Sequence, residues 1–391
     1  MIKTYKFRIY PSKQQEVKLI STLNTCRWLY NSSLSERKHQ AEMNRLYSYL
    51  QLFSFGKPEW INYYDQSRNL TLYKTDEQKQ IYSQVIRDVL KRLDRSFKNF
   101  FNGYGYPRFQ GRNRYDSFTY PQSGFSITDE GKLKLSKIGE IKLIQHREIE
   151  GKIKTCTIKR DVDQWYVSFA VEMDTISCIE MTGKSIGVDV GLKSLITLSN
   201  GQQIEPPQFL RQSGNKLAKQ QRSLSRKKKG SNNRDKQRIK VGKLHRTIRN
   251  QRLDFAHKVS RELVNVYDLI VFEKLQIQNM VKNHHLAKSI SDAGWDQLIQ
   301  LTKHKAEYAC KVVKLVDPKN TTQNCSSCGI KVPKSLSVRT HKCPYCGLEL
   351  DRDVNAAINI LNLSTVGTTG RACGLTNVGW ENEAGSHFLT T

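Results

Sequence analysis

Residues 185–191 read Ser-Ile-Gly-Val-Asp-Val-Gly, a short apolar strand that Asp189 interrupts and that glycines flank. Removing a lone carboxylate from water is costly unless a metal ion or another cation faces it. Two more acids occupy similar places: Glu273 ends the apolar run 269–272, and Asp353 lies at the entry of the last predicted helix. Three acids meeting at one edge of a sheet could hold two divalent ions. Such a pair of ions activates a water and stabilises the leaving 3′ oxygen in phosphodiester hydrolysis.

Each acid also has a structural interpretation that the residues alone leave open. Either Asp351 or Asp353 is a natural N-cap for the last helix. Glu273 could be a solvated strand end, and Asp189 a hydrogen-bonded turn residue. The joint pattern favours a site, because each acid interrupts or terminates a predicted core element.

Two Cys-x-x-Cys pairs form the most specific local motif, Cys325-Ser-Ser-Cys328-Gly and Cys343-Pro-Tyr-Cys346-Gly. Four thiolates at this spacing fit one tetrahedral zinc ion, which is structural because no coordination position stays open. The glycine after each pair suits a tight turn. The alternatives are disulfides, which a reducing cytosol disfavours, or four unrelated cysteines. The other cysteines are predicted to be small core or tail residues: Cys26, Cys156, Cys178, Cys310 and Cys373.

The charge balance indicates a polyanionic partner. The 391 residues contain 64 Lys and Arg against 36 Asp and Glu, a net charge of +28. Residues 216–252 alone contain 15 Lys or Arg and one acid. Nucleic acid is the most common partner of such a chain, and the alternative is a basic surface that serves solubility. Aromatic residues in the basic N-terminal half either stack on bases or pack in the core: Trp28, Tyr30, Tyr104, Tyr106, Tyr115 and Tyr120.

No run of about 18 apolar residues predicts a membrane span, and the N-terminus has no signal-peptide core. We therefore expect no membrane partner and a cytoplasmic protein, nucleoid-associated in a bacterial or archaeal cell.

Periodicity predicts a multidomain α/β chain. Residues 2–10 alternate as a strand, and Ser12 with Gln15 forms a capping box for a helix. We predict further helix and loops over 41–80, and a helix over 78–101 whose apolar stripe runs from Val85 to Phe101. Short alternating runs then predict an antiparallel β module, which strand 2–10 joins. From residue 184 onward the pattern is α/β.

The residues quoted above resemble the TnpB family, the transposon-encoded RNA-guided DNA endonucleases related to type V CRISPR effectors. The resemblance rests on 187–191, Glu273, the motif Asp353-Val-Asn-Ala-Ala357 and the cysteine module between the second and third acids. It extends over about residues 1–365 and includes the segments 106–109, 291–295 and 321–325.

The resemblance implies the domain organisation. A β-barrel wedge domain would comprise 1–10 and 106–180, with a helical recognition domain inserted at 11–105. An RNase H-like RuvC nuclease domain would comprise 181–319 and 350–366, with a zinc-binding target-nucleic-acid-binding insertion at 320–349. Residues 367–391 are predicted to be a disordered tail.

The resemblance also implies the function. The catalytic acids and magnesium ligands would be Asp189, Glu273 and Asp353, with Asp353 favoured over Asp351. They would hold two Mg²⁺ ions, for which Mn²⁺ could substitute. A monomer with one guide RNA from the transposon end would cleave double-stranded DNA beside a short flanking motif. The rivals are a guide-dependent DNA-binding repressor without cleavage and an accessory transposase.

Two groups of residues are expected to contact nucleic acid. The flanking motif would be read by six residues: Ser83, Gln84, Arg87, Thr119, Tyr120 and Gln122. The RNA or heteroduplex backbone would be contacted by Arg226, Lys227, Lys228 and Lys229.

Overall fold

The computed structural model describes residues 1–50, 59–112, 114–173, 178–335 and 338–365. The chain divides into two units, residues 1–175 and 176–391. Both contain helices and strands, which confirms the predicted multidomain α/β class. No helix among the described residues is long and apolar enough to cross a bilayer. The predicted disordered tail, 367–391, lies outside the described residues.

A seven-stranded antiparallel sheet forms the centre of the first unit. Strand β1 (Ile2–Tyr10) lies inside it, between two strands that come more than 100 residues later, as the sequence predicted. Its alternate side chains Tyr5, Phe7 and Ile9 are buried. The order is β2-β6-β7-β1-β5-β4-β3. The other strands are β2 (Ser117–Tyr120), β3 (Phe125–Ile127), β4 (Lys132–Leu135), β5 (Gly139–Ile144), β6 (Lys152–Asp161) and β7 (Gln164–Glu172).

This sheet curls strongly, because its two edge strands are consecutive in sequence. Seven flat strands would separate β2 from β3 by about 29 Å. The connection 121–124 spans at most about 18 Å. The edges accordingly approach each other, and the rings of Tyr120 and Phe125 lie 6.5 Å apart. No hydrogen-bonded ladder joins β2 to β3 in the described part of the chain, so the sheet is curled but open.

Between β1 and β2 the described residues form four helices: α1 (Lys13–Tyr49), α2 (Tyr63–Leu72), α3 (Asp76–Lys79) and α4 (Ser83–Phe101). The capping box of Ser12 and Gln15 is present at the start of α1. This helix runs beyond its apolar stripe to residue 49 because polar contacts continue where the apolar ones end. Arg37 Nε donates to Gln66 Oε1 at 2.9 Å, and Asn44 Nδ2 donates to the Glu59 carbonyl at 2.7 Å.

The second unit contains a mixed five-stranded sheet in the order β10-β9-β8-β11-β12. Strands β8, β11 and β12 are parallel, and β9 and β10 form antiparallel neighbours. The bounds are β8 (Ser185–Val190), β9 (Ile196–Leu198), β10 (Gln203–Ile204), β11 (Leu269–Glu273) and β12 (Val312–Val316).

Helices cover both faces of this sheet. The apolar side chains of α6 and α9 pack with Ile186, Val188 and Phe272 on one face. Helix α10 packs on the other face, against Gly187. The helices and remaining strands of this unit are α5 (Phe209–Ser225), α6 (Asn232–Val266), α7 (Ile277–Met280), α8 (His284–Ala293), α9 (Trp295–Tyr308), β13 (Thr340–Lys342), β14 (Glu349–Asp351) and α10 (Arg352–Thr365).

The prediction for two of the cysteines was wrong. Cys178 and Cys310 form a disulfide, with their Cα atoms 5.1 Å apart. The Ile179 N–H also donates to the Ala309 carbonyl, at 3.3 Å. Residues 178–180, which we assigned to the first β module, are therefore attached to the end of α9 in the second unit. Cys26 and Cys156 are buried, as predicted.

Candidate active site and metal centre

The sheet and helix α10 bring the three predicted acids together. In the parallel pair β8 and β11, Phe272 lies opposite Val188, so Glu273 follows beside Asp189. Asp189 shares a strand face with Gly187, because side chains two residues apart point the same way. Helix α10 lies so close to that face that a Cβ atom at Gly187 would be 2.0 Å from the Ala357 carbonyl oxygen. Asp353 is one helical turn before Ala357 and therefore lies beside the end of β8.

Burial and mutual repulsion dominate the electrostatics of these acids. Asp189 is 9% exposed and Glu273 is 7% exposed. Burial raises the pKa of Asp189 well above its usual value, and the charges of Glu273 and Asp353 raise it further. Burial also raises the pKa of Glu273, against the opposing effect of a hydrogen bond from Thr321. A cation placed among the three would remove this penalty.

The structure decides between Asp351 and Asp353 as the helix cap. Asp351 Oδ1 accepts from the backbone N–H groups of Asp353 at 2.8 Å and Val354 at 3.3 Å, so Asp351 is the N-cap of α10. The Asp353 carboxylate instead accepts from Arg352 Nη2 at 3.0 Å, and its other oxygen lies 3.9 Å from Arg339 Nη1. The Asp353 side chain is thus not used for the cap, and its role as a metal ligand stays a prediction.

A network of hydroxyl and amide groups that sequence reasoning missed supports the acids. Thr321 Oγ1 donates to Glu273 Oε1 at 2.6 Å. Asn359 Nδ2 donates to the Thr321 carbonyl at 2.8 Å, and Asn355 Nδ2 donates to the Asn324 carbonyl at 2.8 Å. Asn355 and Asn359 are one turn apart on α10. Two asparagines four residues apart on an otherwise apolar helix were the sequence feature that could have indicated this network.

The four cysteines converge as predicted. Cys325 and Cys346 Sγ lie 3.6 Å apart, as do Cys328 and Cys343 Sγ. A tetrahedron with zinc–sulfur bonds of about 2.3 Å has sulfur–sulfur edges of about 3.8 Å, whereas a disulfide needs about 2.05 Å. All four sulfurs lie within 4.8 Å of one another; among the described residues the three acids do not form so tight a group.

The backbone around the cysteines also fits a zinc site. Gly329 and Gly347 have φ of 74° and 75°, which favours glycine, and each N–H donates to the carbonyl of the cysteine four residues earlier. Burial alone would raise the pKa of Cys343, but hydrogen bonds, first from the backbone of Cys346 and Tyr345, lower it to about 6. At Cys328, against the lowering effect of a backbone hydrogen bond, burial and hydrogen bonds with the other three thiols raise the pKa. Thiolates are the form that binds zinc. The donor set therefore fits one structural zinc ion.

The six predicted motif-reading residues are divided by their burial. Ser83, Arg87 and Gln122 are exposed, whereas Gln84 and Thr119 are half-buried. Tyr120 is 1% exposed and its hydroxyl donates to the Ser136 carbonyl at 3.0 Å. Tyr120 is therefore a core residue and does not present its side chain to DNA.

The start of α4 lies against the end of β2 through Tyr82. Its ring stacks on Tyr120 at 5.8 Å, and its hydroxyl lies 2.8 Å from Ser123 Oγ. This contact brings the segment around Gln122 next to the N-terminal turn of α4, which contains Ser83 and Arg87.

The predicted backbone-contacting residues lie at the tip of a basic hairpin, defined as α5, α6 and the connection 226–231. A small apolar cluster of Leu217, Val241 and Ile248 joins the two helices. Arg234 Nη1 donates to the Leu224 and Lys227 carbonyls, both at 2.8 Å, and so closes the turn. At the tip Lys227 is half-buried, while three residues are exposed: Arg226, Lys228 and Lys229.

Comparison with known proteins gives the family. A relative from Streptomyces pristinaespiralis, named "Putative RNA-guided DNA endonuclease", is 34% identical over 386 residues, covering 95% of this chain and 91% of its own. The chain belongs to the TnpB family. A second TnpB-family relative, "Putative RNA-guided DNA endonuclease InsQ" from Escherichia coli (strain K12), is 31% identical over 390 residues, covering 95% of this chain and 94% of its own.

Family models and solved structures add detail. The models described as "Probable transposase" and "Cas12f1-like, TNB domain" match residues 168–284 and 295–360. A third, "Helix-turn-helix domain", matches 1–45, where this TnpB-family chain has β1 followed by the single helix α1. A solved mini-RNA-guided endonuclease, CRISPR-Cas_phi3, is 9% identical and covers 94% of this chain and 93% of its own, at a TM-score of 0.45. A score that low supports no conclusion.

Proposed function

We propose that this TnpB-family protein is an RNA-guided, magnesium-dependent DNA endonuclease. It cleaves double-stranded DNA that pairs with a transposon-derived guide RNA beside a short flanking motif. The observation that supports cleavage is the convergence of Asp189, Glu273 and Asp353 from three separate elements in a largely buried position. The names of the two curated relatives and the net charge of +28 support nucleic acid as the partner.

The three acids would hold the divalent ions. Their donor atoms are all carboxylate oxygens, which Mg²⁺ prefers, and the raised pKa values of Asp189 and Glu273 indicate a position built for a cation. When bound, Mg²⁺ would supply an activated water and stabilise the leaving 3′ oxygen. Thr321 orients the Glu273 carboxylate through its hydroxyl. Arg352 holds one oxygen of Asp353, and the other oxygen lies 3.9 Å from Arg339 Nη1.

The domain roles follow from the same proposal. Residues 181–319 and 350–366 form a RuvC-like nuclease domain, and 320–349 form the zinc-bearing insertion that contacts target nucleic acid. Residues 1–10 and 106–175 form the wedge domain, and 11–105 the recognition domain; the predicted wedge boundary at 180 is moved because 178–180 are attached to the second unit. The curled sheet of the first unit supports the barrel-like wedge, and the helices inserted after β1 support the recognition domain.

Nucleic-acid contacts would divide between the units. The tip of the basic hairpin contacts the RNA or heteroduplex backbone, because its three exposed cations face solvent at the end of a rigid helix pair. The flanking motif is read by the group around the start of α4 and Gln122. This assignment now rests on Ser83, Gln84, Arg87, Thr119 and Gln122, since Tyr120 is buried. Exchanging these residues for those of a relative should change the motif preference and leave guide pairing unchanged.

The experiment uses the protein with the RNA that copurifies. Sequencing that RNA gives the guide, and a supercoiled plasmid with the paired target and randomised flanks is then incubated with the complex in Mg²⁺. Linear product with free ends is expected. Binding without any cut in Mg²⁺ or Mn²⁺ would favour the repressor, and joined ends would favour the transposase.

A further inference from the structure

Four aromatic rings close together in sequence are exposed at the end of α4 and in the segment after it. Phe101 is 78% exposed, Tyr104 70%, Tyr106 41% and Phe109 52%. We call these four residues the aromatic platform. The apolar stripe of α4 predicted that Phe101 is buried like Val85, and this was wrong. Burying one such ring contributes about 1.5–3 kcal/mol, so four exposed rings within nine residues indicate a role other than core packing.

The rest of the aromatic residues considered from sequence do not share this exposure pattern. Tyr30, Tyr115 and Tyr120 are buried core residues. Trp28 is 54% exposed on α1. Core packing therefore accounts for three of the six aromatic residues that the sequence analysis named. Of the other three, Tyr104 and Tyr106 belong to the platform.

Two sets of contacts anchor the segment that carries the platform. Phe97 and Phe100 contact the Tyr106 ring edge-on, with centroids 5.7 and 5.1 Å away. Farther along the segment, Asn31 Nδ2 donates to the Gln110 carbonyl at 3.0 Å, and the Gln110 N–H donates to Asn31 Oδ1 at 2.8 Å. These contacts attach Tyr106 to α4 and Gln110 to α1. Anchoring these two residues reduces the free energy that a ligand loses to ordering of the segment.

Cations predominate around the platform, and the Asp94 carboxylate one helical turn before Lys98 pairs with it at 3.4 Å. The sequence from 95 to 115 contains five Lys or Arg residues and no Asp or Glu. All five of these cations are exposed in the structure: Arg95, Lys98, Arg108, Arg112 and Arg114. Rings alternating with cations match unpaired nucleic acid, whose bases stack on aromatic faces while its phosphates meet the cations.

We propose that the aromatic platform binds unpaired nucleotides of the guide RNA. The inference rests on the proposed function in one respect, that the protein carries an RNA. Target DNA arrives as a duplex whose base faces are covered by stacking. The RNA, in contrast, exposes base faces until its target pairs. Phe101, Tyr104 and Phe109 supply the stacking faces, while Lys98 and Arg108 contact phosphates.

The experiment measures binding of the full-length chain to a fluorescein-labelled, unstructured 12-nucleotide RNA. The single-stranded DNA of the same sequence and the fully paired RNA duplex serve as parallel probes. The triple variant Phe101→Ala, Tyr104→Ala, Phe109→Ala should bind the single-stranded RNA at least fivefold more weakly, since one stack contributes about 1–3 kcal/mol. Duplex affinity should stay within twofold, and the single-stranded RNA should bind more tightly than the DNA.

Three controls keep the test decisive. Tyr73→Ala removes a ring of equal exposure, 78%, elsewhere in the first unit and should change nothing. Phe101→Tyr with Tyr104→Phe keeps the rings and should retain wild-type affinity, even if the triple variant is less stable. Lys98→Ala with Arg108→Ala should lower the slope of log affinity against log salt by about 1–2, whereas ring removal should leave that slope unchanged.

Several results would overturn the proposal. Unchanged RNA affinity in the triple variant would do so, as would equal losses for RNA and its duplex, or a preference for the DNA probe. A change of oligomeric state with RNA binding intact would assign the platform to a protein contact. The proposed cleavage can fail separately: a chain that binds RNA through these rings but cuts no DNA refutes the nuclease and leaves the platform standing.

Discussion

Replacing Gly187 by alanine tests how closely α10 must approach β8. The new Cβ would lie 2.0 Å from the Ala357 carbonyl oxygen and 3.0 Å from the Leu361 Cβ. A carbon–oxygen contact needs about 3.3 Å, so the helix must retreat by more than about 1 Å. Backbone atoms cause the clash, and no side-chain rotation relieves it.

The retreat moves Asp353 away from Asp189, because Asp353 lies one turn from Ala357 on the same rigid helix. A misplacement of about 1 Å in a catalytic constellation costs about 100-fold in rate. Overpacking of this kind also costs about 1–3 kcal/mol of folding free energy. We therefore expect Gly187→Ala to fold with a lowered Tm and to cleave paired target about 100-fold more slowly, while target affinity changes by less than threefold.

The assay is single-turnover cleavage of a paired target, with binding measured in parallel in Ca²⁺. Gly214→Ala in α5 is the matched control, because a Cβ there meets no atom within 4 Å. It should gain about 0.4–1 kcal/mol of stability and keep the wild-type rate. Cleavage by Gly187→Ala at the wild-type rate would refute the close helix–strand packing as the means of positioning Asp353.

Three further predictions concern the remaining parts of the site. Elemental analysis should find about one zinc per chain, and Cys343→Ser should lose the zinc and make residues 320–349 protease-sensitive; active zinc-free protein would contradict this. Thr321→Val should reduce cleavage about 10–100-fold with unchanged target affinity, because Glu273 loses its orienting hydrogen bond; equal rates would make the bond incidental. Changing the exposed cations of 226–229 to alanine should flatten the salt dependence of RNA binding for every guide alike, and an unchanged slope would exclude them as phosphate contacts.

The features that the sequence predicted correctly depend on local pattern. The alternation of residues 2–10, the capping box of Ser12 and the apolar strand around Asp189 each lie within a few residues, where periodicity and spacing determine structure. The cysteine pairs are also local, and their convergence follows from the turn geometry at Gly329 and Gly347. The three acids were proposed as a site because each is anomalous in its own element.

The features that were missed depend on contacts between distant residues. The extension of α1 to residue 49 relies on polar pairs such as Arg37 with Gln66, which leave no apolar stripe. The disulfide joins cysteines 132 positions apart, a separation with no sequence signature. Tyr120 was expected to contact DNA and is buried, whereas Phe101 was placed in the apolar stripe and is exposed. The burial of a ring depends on the residues that pack over it, which the local sequence does not show. The choice between Asp351 and Asp353 required the cap hydrogen bonds.

The most direct test of the central claim compares four isosteric variants in one cleavage experiment. Asp189→Asn, Glu273→Gln and Asp353→Asn each remove one carboxylate of the proposed metal site. Asp351→Asn is the control, since asparagine caps a helix as well as aspartate. We expect the first three to lose at least about 1,000-fold in Mg²⁺-dependent cleavage and to bind paired target within threefold of wild type, with Asp351→Asn near wild type in both. Wild-type cleavage by any of the three, or an equal loss in Asp351→Asn, would contradict the assignment of these acids as the catalytic centre.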